Sequence, residues 1–247
     1  MRGSKLRAHD VWLPRHGVAI QINAFSFPAW GMIGKLAVAW LAGMPVLSKP
    51  ATSTAELAAR IAELIVESQL APKGAFSMLL GSAGDLLDHV DGQDVLAFSG
   101  SAATGSTIRG HARVRETGVR VNIEADSLHA MVVGPAVEPG TELFDAFMRD
   151  CVLELTQKAG QKCPATRRIL VPRDTLNAFK DVLLDRLTEV AHRTGDPAEA
   201  GVRMGPLSTA EQLQAARDGI AQLERAAKRI LGDPARSDFE ADGYFLE

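Results

Sequence analysis

Short apolar runs alternate along this chain with longer stretches of helical spacing. Residues 17–22 form a β-branched run that predicts a strand. Residues 23–29, with Phe25, Phe27 and Pro28, predict a turn, 30–42 a helix and 45–49 a second strand. Ser53 or Thr54 is placed to cap a helix over 55–69, with Glu56 in its first turn. Further strands are expected at 76–80, 95–98, 119–123 and 130–133, and shorter helices at 83–89 and 104–112. A long helix follows over 141–159, then a strand at 169–171 and helices over 175–192 and 209–227. Strands that alternate with helices and are themselves nearly all apolar predict the α/β class, with a parallel sheet covered on both faces. No internal repeat is present. Residues 232–247 are polar and turn-rich, and both ends break off as if inside an element, so a piece of something longer is expected.

Composition narrows the function classes. The 247 residues suffice for one large domain or two small ones with a core. The formal net charge is -3 with the two signs interspersed, which gives no footprint for nucleic acid. The most apolar stretch, 32–47, is interrupted by Gly34, Lys35, Gly43 and Pro45 and is too short to span a membrane. Met1 to Arg7 is basic without an apolar core for secretion, and two cysteines are no disulfide framework, so a cytoplasmic, reducing compartment is expected.

Four places hold candidate chemistry. Cys163 follows Gly160-Gln161-Lys162 and precedes Arg167-Arg168, a basic setting that favours a thiolate. Cys151 sits on the apolar side of the long helix and reads as core. Phe98-Ser99-Gly100-Ser101-Ala102-Ala103-Thr104-Gly105 joins a strand to a helix through small residues, as a pyrophosphate cradle requires, although an ordinary tight turn has the same composition. Lys49, at another strand end, could hold a ribose hydroxyl or a phosphate, or be a solvated lysine. Glu124 closes an apolar strand and could be a general base; the alternatives are a surface acid, or a helix-capping role for the neighbouring Asp126. The usual Gly-x-Gly-x-x-Gly fingerprint is absent.

Taken in order, Lys49-Pro50-Ala51, Phe98-Ser99-Gly100-Ser101 with Gly105, Glu124, Gly160-Gln161-x-Cys163 and Met204-Gly205-Pro206-Leu207 resemble the motifs of the aldehyde dehydrogenase superfamily. Ile22-Asn23-Ala24-Phe25, Phe27-Pro28-x-Trp30-Gly31 and Glu124-Ala125-Asp126-Ser127-Leu128 are similar to a branch acting on CoA-linked semialdehydes in aromatic (phenylacetate) catabolism. The resemblance implies a parallel Rossmann-type sheet in a dinucleotide-binding domain over 1–124, and part of an α/β catalytic domain over 125–247, truncated at both ends. It implies that Cys163 attacks the aldehyde, Glu124 activates water to release the acid, Lys49 binds the adenosine ribose, and Ser101 the pyrophosphate between Gly100 and Gly105. Members preferring NAD often carry a glutamate where Thr52 stands, so the resemblance implies NADP, with NAD as the other choice. The implied partner is a small aldehyde, CoA-linked, with neither nucleic acid nor membrane nor metal. The intact family forms homo-oligomers; the pairing strand is not in this sequence.

Three departures bear on activity. Ser26 stands where the family carries its oxyanion-hole asparagine, and losing one such donor typically costs about 100- to 1000-fold in turnover. The chain starts well inside the family's fold, and it stops before the element that holds the nicotinamide ribose. An impaired or inactive remnant, or one part of a split enzyme, therefore stands beside the active dehydrogenase as a reading.

Overall fold

A computed structural model describes residues 7–239 and 242–246; the basic opening before Arg7 lies outside them. The chain divides into two compact units between Ala125 and Asp126.

The first unit is a parallel sheet of strands β1 (Ala19–Ile22), β2 (Val46–Lys49), β3 (Phe76–Met78), β4 (Val95–Gly100) and β5 (Arg120–Ala125), in the order β3-β2-β1-β4-β5. This order is that of a doubly wound nucleotide-binding sheet. β1 is central and pairs on both sides, Ile22 lying opposite Lys49 and opposite Phe98. Alternate side chains of the strands fill two cores. Ile20, Leu96 and Phe98 pack with Ile108 and Val114 of helices α3 (Ala102–Gly110) and α4 (Ala112–Thr117). Ala19 and Val46 pack with Leu36 and Ala39 of α1 (Pro28–Leu41). Helix α2 (Ala55–Glu67) packs beside α1.

Local chemistry departs from the sequence expectation at three places in this unit. Thr54 makes no side-chain cap to α2, and its buried hydroxyl has no partner; a single 3₁₀ turn, Thr52–Thr54, leads into the helix instead. The helix expected over 83–89 is a 3₁₀ turn, Leu86–His89. The helix expected over 104–112 is two helices. His111 is extended between α3 and α4, and Gly118, at φ 64°, ends the second where only a glycine is unstrained.

The second unit pairs β6 (Ala130–Val132) with β7 (Arg168–Leu170) in parallel. Helices α5 (Glu142–Thr156) and α6 (Leu176–Ala191) pack through Phe144, Met148 and Phe179, the two phenylalanine rings meeting edge-on at 6.0 Å. Thr141 caps α5 by accepting from the Phe144 N–H, and Thr209 caps α7 (Ala210–Leu223) by accepting from Gln212. The expectation of one helix over 141–159 fails at Thr156. Gln157 turns extended, and Lys158, Ala159 and Gly160 all take left-handed backbone angles, at φ 56°, 52° and 70°. No helix among the described residues is long and apolar enough to cross a membrane.

Candidate active site

In the first unit the candidate residues gather at the carboxyl ends of the strands, where open α/β sheets bind ligands. Lys49 ends β2, half-buried, with its ammonium donating to the Pro50 carbonyl at 3.1 Å. Thr52, exposed, opens the 3₁₀ turn just beyond. Ser26 lies half-buried in the bend that leads from β1 into α1. Glu124 sits in β5 opposite Ser99 of β4 and is exposed, as the surface-acid alternative has it. No helix follows Asp126; the next element is β6, which removes the capping alternative.

The β4–α3 turn has the shape of a phosphate cradle. Ser101 is the cap of α3, accepting from the Thr104 N–H at 3.2 Å and donating to the Thr104 hydroxyl at 3.0 Å. A Cβ on Gly100 would stand 2.5 Å from the Phe98 ring, and one on Gly105 would stand 2.8 Å from Ile123. Gly105 is thus required by the close approach of helix to strand, and Gly100 by the Phe98 ring of its own strand. Backbone N–H groups at the start of a nine-residue helix then face the crevice beyond β4. The strand order reverses here, at the two sides of β1. These residues fit a dinucleotide.

A polar chain that the sequence reading missed runs through the same strand ends. Asn23, buried, donates to the Ser48 hydroxyl at 3.1 Å and accepts from Lys35 at 3.0 Å. Lys35 also donates to the Ser99 hydroxyl at 2.6 Å, and Ser99 donates to Glu124 Oε2 at 3.2 Å. Lys35 thus reaches the carboxylate through the Ser99 hydroxyl. Burial pushes the Lys35 ammonium below its ordinary value, and the negative charge of Glu124 offsets part of that shift. The sequence signal was a lone lysine in the apolar helix that carries Met32 and Leu36.

Cys163 belongs to the second unit and is exposed, whereas Cys151 is buried in α5. Of its basic neighbours, Lys162 is turned away from solvent and paired, whereas the two arginines donate to backbone carbonyls. Lys162 turns inward, with a side chain 5% exposed, and pairs with Glu154 at 2.8 Å and with Gln157 Oε1 at 2.7 Å. Arg167 donates to the Gly160 carbonyl and Arg168 to the Leu128 carbonyl. The Ser127 hydroxyl donates to the Cys163 carbonyl. Two non-glycine left-handed residues before the cysteine cost on the order of 1–2 kcal/mol each. Gly160 carries the third left-handed angle, and a Cβ there would lie 3.3 Å from the Leu155 carbonyl oxygen. Gln161 ties the loop to the segment after Leu207, its Oε1 accepting from the Ser208 N–H at 3.0 Å. The Gly-Gln pair before the cysteine thus has a local reason: one residue makes the turn and the next anchors it.

Comparison with known proteins places this architecture. The model of the aldehyde dehydrogenase family matches residues 7–247. The chain is 46% identical over 231 residues to a 3,4-dehydroadipyl-CoA semialdehyde dehydrogenase of Aromatoleum evansii, covering 93% of this chain and 44% of that protein. It is 31% identical to a non-phosphorylating aspartate-semialdehyde dehydrogenase of Halomonas elongata, covering 88% of this chain and 43% of the relative. A solved double mutant of betaine aldehyde dehydrogenase from Staphylococcus aureus, in complex with NAD+, superposes with a TM-score of 0.82 at 25% identity, over 94% of this chain and 46% of that one. The chain therefore spans less than half the length of the relatives it matches.

Proposed function

This chain belongs to the aldehyde dehydrogenase family, a family of oxidoreductases, and from that premise we propose that it oxidises a CoA-linked semialdehyde to the carboxylic acid, with NADP as the acceptor, in aromatic (phenylacetate) catabolism. The observation that carries the reading is the pairing of a phosphate cradle at Gly100-Ser101 with a carboxylate, Glu124, one strand away in register. The first unit is read as the dinucleotide-binding domain and the second as the catalytic one.

Cys163 Sγ, as thiolate, adds to the aldehyde carbon and forms a thiohemiacetal. The Ser26 hydroxyl donates to the developing oxyanion. When held at Lys49 and Ser101, the dinucleotide would supply an acceptor for the hydride that leaves that carbon. Cys163 is then held as a thioester, and Glu124 takes a proton from the water that hydrolyses it. The thiolate leaves and the acid is released. Lys35 and Ser99 orient the carboxylate for that proton transfer, since the Ser99 hydroxyl already fixes Oε2. Lys49 binds the adenosine ribose and Ser101 the pyrophosphate. Thr52 places no negative charge beside a 2′-phosphate, which supports NADP over NAD. The similarity to the Aromatoleum semialdehyde dehydrogenase supports the CoA-linked substrate.

Ser26 favours a second reading, in which this chain is catalytically impaired or acts as one part of a split enzyme. The two are separated by following NADPH formation from a CoA-linked semialdehyde with the full chain and its Cys163→Ala variant. Formation by the first and none by the second is expected. Equal silence from both would remove the enzyme reading for the chain by itself.

A further inference from the structure

The lysine beside the candidate nucleophile is arranged as an anchor, not as a charge for the thiol. Lys162 is nearly fully buried, and its ammonium is shared between Glu154, in the last turns of α5, and Gln157, the first residue past the helix. The bond to Gln157 spans the three left-handed residues 158–160 and closes them into a loop whose far end is Cys163. Two backbone bonds depend on that closure. The Gln161 N–H donates to the Lys158 carbonyl at 3.0 Å, and the Ala165 N–H donates to the Lys162 carbonyl at 3.1 Å, straddling the cysteine. A left-handed turn of non-glycine residues persists only where its surroundings over-determine it, and here the Lys162–Glu154 ion pair is one such constraint, beside the Arg167 bond to Gly160 and the Ser208 bond to Gln161.

We propose that Lys162, clamped by Glu154 and Gln157, is a positioning residue that presents Cys163 on a rigid turn. This rests on the reading of Cys163 as the nucleophile, but neither measurement below requires turnover, aldehyde or cofactor, so the two can fail separately. The opposed account makes Lys162 an electrostatic activator that lowers the pKa of the thiol.

The test uses the full chain, with amide hydrogen exchange at Gln161 and Ala165 and the pH midpoint of Cys163 alkylation by iodoacetamide; Cys151 is buried and does not compete. In Lys162→Met, exchange at both amides rises about tenfold or more, while core amides such as Phe144 and Phe179 keep their rates. The alkylation midpoint stays where it was. Glu154→Gln, which keeps the fold of the helix and weakens the clamp from the other side, loosens the same two amides. Lys162→Arg, which retains donors for both acceptors, restores slow exchange. Unchanged exchange in Lys162→Met and Glu154→Gln, or an alkylation midpoint that climbs when the ammonium is removed, would overturn the proposal.

Discussion

At position 26 a serine hydroxyl stands in the bend between β1 and α1, where the family resemblance expects an amide. The hydroxyl is shorter and offers one donor, so the oxyanion is held less well. Ser26→Asn is expected to raise the rate of NADPH formation, by up to about 100- to 1000-fold, with little change in NADP binding. Stopped-flow absorbance of the first turnover, set beside a titration of NADP, checks both halves. Gly100 is the other position at which one atom decides the outcome. An added Cβ would stand 2.5 Å from the ring of Phe98, which is itself buried. Gly100→Ala should destabilise the first unit by about 1–3 kcal/mol, read from a urea midpoint, and weaken nucleotide binding by displacing the start of α3.

Helix α5 shows what patterning conveys and what it leaves out. Its start was legible, because Thr141 is a capping residue placed before an apolar periodicity. Its end was not, because Gln157, Lys158 and Ala159 are all good helix formers and only Gly160 hints at a break. The turn is held by side-chain contacts of Lys162, Arg167 and Gln161, and such contacts leave no local signature. Lys35 was missed for the same reason: a cation in an apolar helix signals nothing until Asn23, Ser99 and Glu124 come together from other elements. The strand ends were easier. Lys49, Ser101 and Glu124 lie at or just past the ends of strand-like runs, and the sheet brings such ends to one edge. The basic neighbours of Cys163 misled, since side-chain direction and not spacing decides where a charge goes.

Cys151 gives α5 a measurable pH dependence. Burial lifts its thiol from the ordinary 9.0 to about 11. The folded state therefore keeps a proton that the unfolded chain releases, and the stability this confers is complete below pH 9.0 and is lost as the pH rises toward about 11. Cys151→Val removes that slope. Urea midpoints at a series of pH values compare the two proteins, and a slope that persists in the variant would assign it to another group.

At the scale of the whole molecule, the proposed chemistry is divided between two units. The first supplies the cradle and the carboxylate, the second the thiol. The account stands or falls on whether those parts act on one substrate in a chain that spans less than half the length of its relatives. Trapping the acyl intermediate asks that directly. The Glu124→Gln variant is incubated with NADP and a CoA-linked semialdehyde, digested, and its cysteine peptides weighed. With deacylation blocked, the account predicts one burst of NADPH and an acyl adduct on the peptide that contains Cys163, absent when NADP is left out. An unmodified Cys163 with no NADPH, in this variant and in its Ser26→Asn double variant, would contradict it.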